Sequence, residues 1–260
     1  MVLAWQEFKI NLKTLLIWAF CVGGLSLGCL LLYESVEDSI EGMAKMYSDM
    51  GAFSAALGMD KVSIGTLEGY YAIEISIMLS LGGAMFAAML GAGLSAKEEE
   101  GHTTEFLNVL PLGRARILME KYAAFVALTA LFHMICVLLI LCGFGWMGSR
   151  PDAGSFMRYH GAAFFMCIEV GTVCFLLSVW SRKKPVGAAI GLAVLLYMAD
   201  LMCRAVPALE RVKYVTPFSY CSGADIFAKE TASALSWGIG AGVTAAALTA
   251  AVWKYKRKDL

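Results

Sequence analysis

Six apolar stretches, each long enough to cross a bilayer as a helix, constrain this chain more than any other feature. A transmembrane helix needs about 20 mostly apolar residues, and the six stretches contain few charged side chains. They predict an all-α, polytopic membrane protein with a single transmembrane domain over residues 1–260. The predicted spans are residues 14–33, 69–96, 122–147, 159–180, 186–206 and 232–253.

The composition excludes an ordinary soluble enzyme. Hydrophobic residues make up 59% of the chain and charged residues 16%, whereas soluble domains have about 45–50% and about 25%. A soluble domain of this size cannot bury so much apolar surface, so lipid is the expected solvent. The net charge of zero does not indicate a polyanionic partner, and we expect no nucleic-acid binding.

Lys and Arg residues concentrate at one set of span ends, which is typical of the cytoplasmic side. Six spans place both termini on the same side of the membrane, and we therefore expect both termini in the cytoplasm. The protein is expected in the plasma membrane, in a bacterial cell. The basic residues on the expected cytoplasmic side are Lys9, Lys13, Lys97, Arg114, Arg116, Lys121, Arg182, Lys183, Lys184, Lys254, Lys256, Arg257 and Lys258.

Amphipathic segments flank the first span. Before it, Trp5, Phe8 and Leu12 share a helical face, which predicts an N-terminal helix lying in the membrane interface. After it, residues 34–68 are predicted to form an outer amphipathic helix, because apolar residues recur there at steps of three and four. Those apolar residues are Val36, Ile40, Met43, Tyr47, Met50 and Leu57, and the acids nearby are Glu34, Glu37, Asp38 and Glu41.

Catalytic and metal-binding motifs either match the sequence without the structural context they require or do not occur in it. Residues 24–28 match G-x-S-x-G, but a nucleophile elbow needs a strand before the turn, and these residues lie mid-span. No G-x-x-x-x-G-K-[ST] motif and no C-x-x-C pair occurs, so neither a P-loop nor a cysteine metal site is indicated. We expect no enzyme activity, no metal and no directly bound cofactor.

Three G-x-x-x-G pairs lie within the predicted spans. Small residues at this spacing let transmembrane helices approach closely. The pattern favours packing between helices of the same chain over a specific dimer seam. The pairs are Gly24 with Gly28, Gly187 with Gly191, and Gly238 with Gly242.

Three acids inside predicted spans are candidates for lining a transport pathway. A charged residue at the centre of an isolated span costs about 2.5–3.5 kcal/mol on insertion scales, so such residues usually face a bundle interior or a wet cavity. Glu169 lies closest to mid-span, whereas Glu74 is near enough to a span end to reach the headgroups. Asp200 precedes Arg204 by four residues, a spacing that indicates a local ion pair.

The segment between the second and third spans carries both charged and apolar residues. It begins with the acidic run 98–100, becomes apolar at Phe106 and Leu107, and is broken by Pro111 and Gly113. This pattern predicts a short amphipathic helix, a turn and a helix that re-enters the membrane. A merely solvated loop would not need large apolar side chains, so a docking surface on the cytoplasmic side is favoured.

This segment resembles the signature region of permease subunits of the ABC-2 type transporter family, in its short six-span members. The stretches WQEFKINLKTLLIWAF at the start, ALGMD at 56–60, GYYA at 69–72, YVTPFSY at 214–220 and the basic tail also fit, so the resemblance runs from end to end. Departures from the family pattern are Asn108, Val109 and Gly113. The residues that carry the resemblance are Glu99, Thr104, Glu105, Phe106, Leu107, Pro111, Arg114, Ile117, Leu118 and Lys121.

The resemblance implies a permease without its own ATPase. Two six-span halves, identical or paralogous, would pair around a pathway, and separate ABC ATPase subunits carrying ATP and Mg²⁺ would bind beneath them and drive export. The segment 98–110 would be the coupling helix that docks on the ATPase. The residues implied in coupling are Glu98, Glu99, Thr104, Glu105, Phe106, Leu107, Pro111 and Arg114.

A second class of function stays open from the residues alone. A secondary transporter or an ion channel could use Glu169 and Asp200 to bind protons or cations. The two classes differ in their partners, because only the permease should copurify with a P-loop ATPase.

Overall fold

The computed structural model describes residues 2–103 and 112–257, and within these ranges it contains helices and no strands. The α-helices, with a π-helical turn at Tyr71–Ile75 and 3-10 helices at Pro207–Val215 and Pro217–Tyr220, follow one another along the chain. They are α1 (Val2–Ser48), α2 (Ala52–Leu57), α3 (Leu67–Tyr70), α4 (Ser76–Glu100), α5 (Arg114–Trp146), α6 (Ala153–Trp180), α7 (Val186–Ala205), α8 (Gly223–Phe227) and α9 (Ala234–Lys256).

Six helical segments in the described ranges are long and apolar enough to cross a membrane, which confirms the six predicted spans. They are Leu3–Ser48, Leu67–Glu100, Arg114–Trp146, Ala153–Trp180, Val186–Ala205 and Ala234–Lys256. We call the end of the bundle that holds both termini the near end, and the opposite end the far end. The near end therefore contains the start of α1, the end of α4 and the start of α5.

The ends of the spanning helices follow from local sequence. The carboxylate of Asp152 accepts the backbone N–H of Ser155 at 2.9 Å and caps α6, and this hydrogen bond lowers the pKa of Asp152. The hydroxyl of Ser233 accepts the N–H of Leu235 and caps α9. Pro185 stands immediately before α7, a position where its missing N–H costs the helix nothing.

Helix α1 is one continuous helix of 47 residues. At 1.5 Å per residue it is about 70 Å long, whereas a bilayer with its headgroups is about 40–45 Å thick. The segment predicted to lie in the interface is therefore continuous with the first span and is not a separate element. Beyond the span, α1 continues to Ser48 and is followed by the short helix α2. The outer segment predicted as one helix over residues 34–68 is therefore helical only in part.

The core of the bundle is formed by α4 and α6, which approach one another closely through glycines. A Cβ atom on Gly91 would lie 2.2 Å from the carbonyl oxygen of Gly171 on α6, so no larger residue fits at Gly91 without a shift of the backbone. Phe125 of α5 also packs against Gly171. Helices α1, α5, α7 and α9 surround this pair.

The three G-x-x-x-G pairs do not pack against helices of the same chain, so the prediction of intrachain packing is wrong. A Cβ atom built on any of these glycines would meet no atom of the described residues within 4 Å. The spacing of small residues shows that a close approach is sterically allowed, but it does not say which helix approaches. The outward-facing glycines are Gly24, Gly28, Gly187, Gly191, Gly238 and Gly242.

Candidate functional site

A buried cluster of charges lies at the near end of the bundle and includes Glu98, the first residue of the segment predicted to couple to an ATPase. The side chain of Lys121, on α5, is fully buried. Its ammonium group donates to the carboxylate of Glu7 at 2.9 Å, to the carbonyl oxygen of Leu94 at 2.7 Å and to the carboxylate of Glu98. One lysine thus joins α1, α4 and α5.

A second lysine completes the cluster. Lys97 donates to the other carboxylate oxygen of Glu7 and lies 4.0 Å from the carboxylate of Glu98. Two cations therefore face two anions, and the group carries no net charge. We call Glu7, Lys97, Glu98 and Lys121 the ionic joint. In a buried pair, removal of one partner costs about 3–5 kcal/mol, because the other charge is left without compensation.

A further contact joins α1 and α5 at the near end. The carboxylate of Glu120 accepts the backbone N–H of Leu3 at 3.1 Å and that of Ala4 at 3.4 Å. These amides belong to the first turn of α1, where backbone donors have no partner within the helix. Arg116 donates to the other oxygen of the same carboxylate at 3.3 Å. The start of α1 is thus held on α5 by hydrogen bonds as well as by the ionic joint.

Three of the predicted coupling residues lie in this region of the structure, and the other five lie outside the described ranges. Glu98 lies in the ionic joint, and Glu99 is in the last turn of α4. Arg114 begins α5 and donates to the carbonyl oxygen of Lys256, near the end of α9, at 3.4 Å. Thr104, Glu105, Phe106, Leu107 and Pro111 lie outside the described residues.

Glu7 was not singled out from the sequence. The available signal was a single acid among the basic residues of the N-terminal segment, and it did not reveal a partner 114 residues away. The sequence marks Lys121 only as one of the basic residues on the expected cytoplasmic side and as a match to the family pattern.

Glu169, the acid nearest mid-span, is buried and hydrogen-bonded. The hydroxyl of Tyr220 donates to its carboxylate at 2.6 Å. Gly240 of α9 lies against the same carboxylate, since a Cβ atom there would be 2.5 Å from it. Glu169 therefore fastens α6 to the second 3-10 helix beside α9, and its predicted role in a pathway stays a prediction.

Asp200 forms the local ion pair that its spacing predicted. The guanidinium group of Arg204 donates to Asp200 at 2.7 Å and to Asp225 of α8 at 2.7 Å. Thr216 donates to the second oxygen of Asp200 at 2.5 Å. The carboxylate of Asp200 is thus occupied by partners near the far end of α7.

Lys61 extends this network to the segment between α2 and α3. Its ammonium group lies 2.8 Å from Asp225 and 2.7 Å from Glu230. Burial alone would raise the pKa of Asp225, but Arg204 and Lys61 outweigh it and hold that pKa below its ordinary value. Burial alone would lower the pKa of Lys61, but hydrogen bonds to Asp225 and Glu230 outweigh it and raise that pKa.

A polar cavity of about 360 Å³ opens beside this network at the far end. Its walls carry charges of both signs and several hydroxyl groups, and Tyr220 links it to buried Glu169. The remaining candidate, Glu74, is half-buried in the π-helical turn close by. Such turns often occur at functional sites.

Six helices long enough to span a membrane, a charge cluster joining three of them at one end and an ion network at the other describe a polytopic membrane protein. The whole chain, residues 1–260, matches the family model described as ABC-2 family transporter protein. The chain therefore belongs to the ABC-2 type transporter permease family, and it is a membrane permease subunit of an ABC transporter. A comparison with curated proteins found no match.

Proposed function

We propose that this permease forms one half of an ATP-driven exporter. In this proposal two halves, identical or paralogous, pair around the pathway in the plasma membrane, and separate ABC ATPase subunits bind at the near end, which faces the cytoplasm. ATP and Mg²⁺ are held by those subunits. The family membership supports an ATPase partner, and the sequence contains no P-loop motif.

The ionic joint is the observation that carries the coupling part of the proposal. Helix α4 ends at Glu100, the undescribed segment covers residues 104–111, and α5 begins at Arg114. The joint lies within about two helical turns of the end of α4 and of the start of α5. Because Lys121 contacts α1, α4 and α5, we expect a displacement of the segment between α4 and α5 to be transmitted to all three helices.

Copurification tests the ATPase partnership. The tagged chain is purified from its native cells in mild detergent, and the bound proteins are identified by mass spectrometry. A stoichiometric P-loop ATPase is the expected result. Whether the second half is the same chain or a paralogue follows from the same spectra. A chain that stays alone under several gentle conditions contradicts the proposal and favours a secondary transporter or channel.

The Phe106→Asp variant tests the docking surface. A charge placed in an apolar interface should abolish ATPase association while the chain still inserts into the membrane. Phe53→Asp is the matched control, since Phe53 is half-exposed at the far end and should leave association intact. If Phe106→Asp retains the ATPase, the docking surface lies elsewhere.

For the intramembrane acids, a pathway role is proposed only for Glu169, whose carboxylate is linked through Tyr220 to the polar cavity at the far end. Glu169→Gln keeps the size and a hydrogen-bond acceptor for Tyr220 but removes the charge. It should lower export while ATPase association persists. Unchanged export would leave Glu169 with a structural role alone.

A further inference from the structure

A short segment without regular structure forms part of the wall of the far-end cavity. Residues 229–233 connect α8 to α9, and they are neither helix nor strand. Four of them line the cavity, together with Ala55, Asp60 and Lys61 from the segment between α1 and α3. We call residues 229–233 the strap.

Exposure separates the mouth of this cavity from its floor. The side chains of Glu230, in the strap, and of Lys61 are 52% and 30% exposed. Three other lining residues, Cys203, Tyr220 and Ser236, are only 5%, 2% and 3% exposed. The strap and Lys61 therefore stand at the mouth, and the buried residues form the floor.

An ion pair joins the two sides of the mouth. The ammonium group of Lys61 donates to the carboxylate of Glu230 at 2.7 Å. Among the described residues, no other ion pair connects the strap to the rest of the chain. Both side chains are partly exposed, so water competes for them and the pair is weak, unlike the buried pairs of the ionic joint. Lys61 also donates to Asp225 at 2.8 Å, which keeps it in place when Glu230 leaves.

The backbone of the strap is suited to a change of conformation. Lys229 has a φ of 61°, in the left-handed region that residues other than Gly rarely adopt. Residues in such conformations cluster in segments that switch between states. Segments with an exposed backbone and few buried apolar contacts also open more readily than packed helices. The strap can therefore move while the spanning helices stay in place.

We propose that the strap is a gate of the far-end cavity, closed in this structure by the ion pair of Glu230 and Lys61. When this pair breaks, the strap moves away from Lys61 and polar solutes reach the floor, where Arg204 and Tyr220 lie. The gate stands at the end of the bundle opposite the ionic joint. The proposal therefore goes beyond the proposed function, and its test needs neither an ATPase nor transport.

Chemical labelling of Cys203 tests the gate. The purified full-length chain, in nanodiscs of zwitterionic lipid, is treated with a bulky maleimide that does not cross membranes. The reagent is kept dilute, so that the labelling rate follows the population of the open state. Mass spectrometry of peptides then gives the rate at each cysteine separately.

The Glu230→Gln variant removes the charge from the strap with little change in size. It should label Cys203 about two- to fivefold faster, the change in population expected from the loss of an exposed ion pair. Cys167 reports on the integrity of the bundle, because it is fully buried and does not line the cavity, and its rate should not change. Glu34→Gln is the matched control, since Glu34 is exposed on α1 away from the cavity lining.

Salt provides a second test that needs no variant. Raising salt from about 0.05 M to about 0.5 M screens exposed charges, so it should speed the labelling of Cys203 in the unmodified chain. The Glu230→Gln variant should respond little, because its ion pair is already absent.

Two results would overturn the proposal. One is a labelling rate of Cys203 that neither Glu230→Gln nor salt increases. The other is a parallel rise at Cys203 and Cys167, which would show loosening of the whole bundle instead of movement of the strap.

Discussion

Replacing Lys121 with Met tests the ionic joint directly. The side chains are similar in length, so the main change is the loss of a buried cation between Glu7 and Glu98. One negative charge is then left without compensation, which costs about 3–5 kcal/mol. For a chain of this size, a change of 1 kcal/mol in the free energy of unfolding moves the melting midpoint by about 2–4 °C. Lys121→Met should therefore lower the midpoint by roughly 6–20 °C.

The assay is thermal unfolding of the purified chain in one detergent at one scan rate, because membrane proteins often unfold irreversibly and the midpoint then depends on rate. Lys184→Met is the matched control. Lys184 pairs with Glu100 at 3.6 Å, and both side chains are nearly half-exposed, so its loss should cost about 0–1 kcal/mol. Adding Glu98→Gln to Lys121→Met should recover part of the loss, because Glu7 and Lys97 then form a neutral pair. Equal midpoints for the two lysine variants, or no recovery in the double variant, would refute the reasoning.

Two further predictions concern the far half of the bundle. Gly240→Ala should destabilise the chain by about 1–3 kcal/mol through overpacking against Glu169. Gly238→Ala should not, because its Cβ atom meets no described neighbour. Equal melting midpoints for the two variants would contradict the close contact at Gly240. The difference in melting midpoint between the unmodified chain and Lys61→Met should be constant from about pH 5 to pH 9 and shrink below about pH 4. The folded chain lowers the pKa of Asp225, so the stabilisation by the Asp225 carboxylate is present above the ordinary pKa of that group and is lost as the carboxylate protonates. A difference in midpoint that already vanishes near pH 6 would contradict this prediction.

The spans could be predicted from the sequence because the bilayer imposes a length and an apolar composition on every crossing. The pair of Asp200 and Arg204 could be predicted because four residues make one helical turn. The partner of Lys121 could not, since Glu7 is far away in the chain and only the packing of α1 on α5 brings them together. Contacts set by helix packing have no signature in local spacing.

The side toward which the G-x-x-x-G pairs face could not be predicted, for a related reason. A small residue permits close approach on whichever side a neighbour stands, and the close approach of α4 and α6 uses Gly91 and Gly171, which are not part of such a pair. The continuity of α1 was missed because amphipathic and apolar segments can follow one another in a single helix without a break in helical propensity.

Buried ion pairs hold helices together at both ends of the bundle, and the contact between α4 and α6 holds its centre together. Lys121 holds three helices at the near end, and Arg204 holds α7 to α8 at the far end. Well-packed interiors respond to force as rigid bodies rather than by continuous deformation. In the proposed pair of halves, motion driven at the near end is therefore expected at the boundary between the halves, where outward glycines such as Gly187 and Gly191 leave room for a neighbouring backbone, and not between helices within one half.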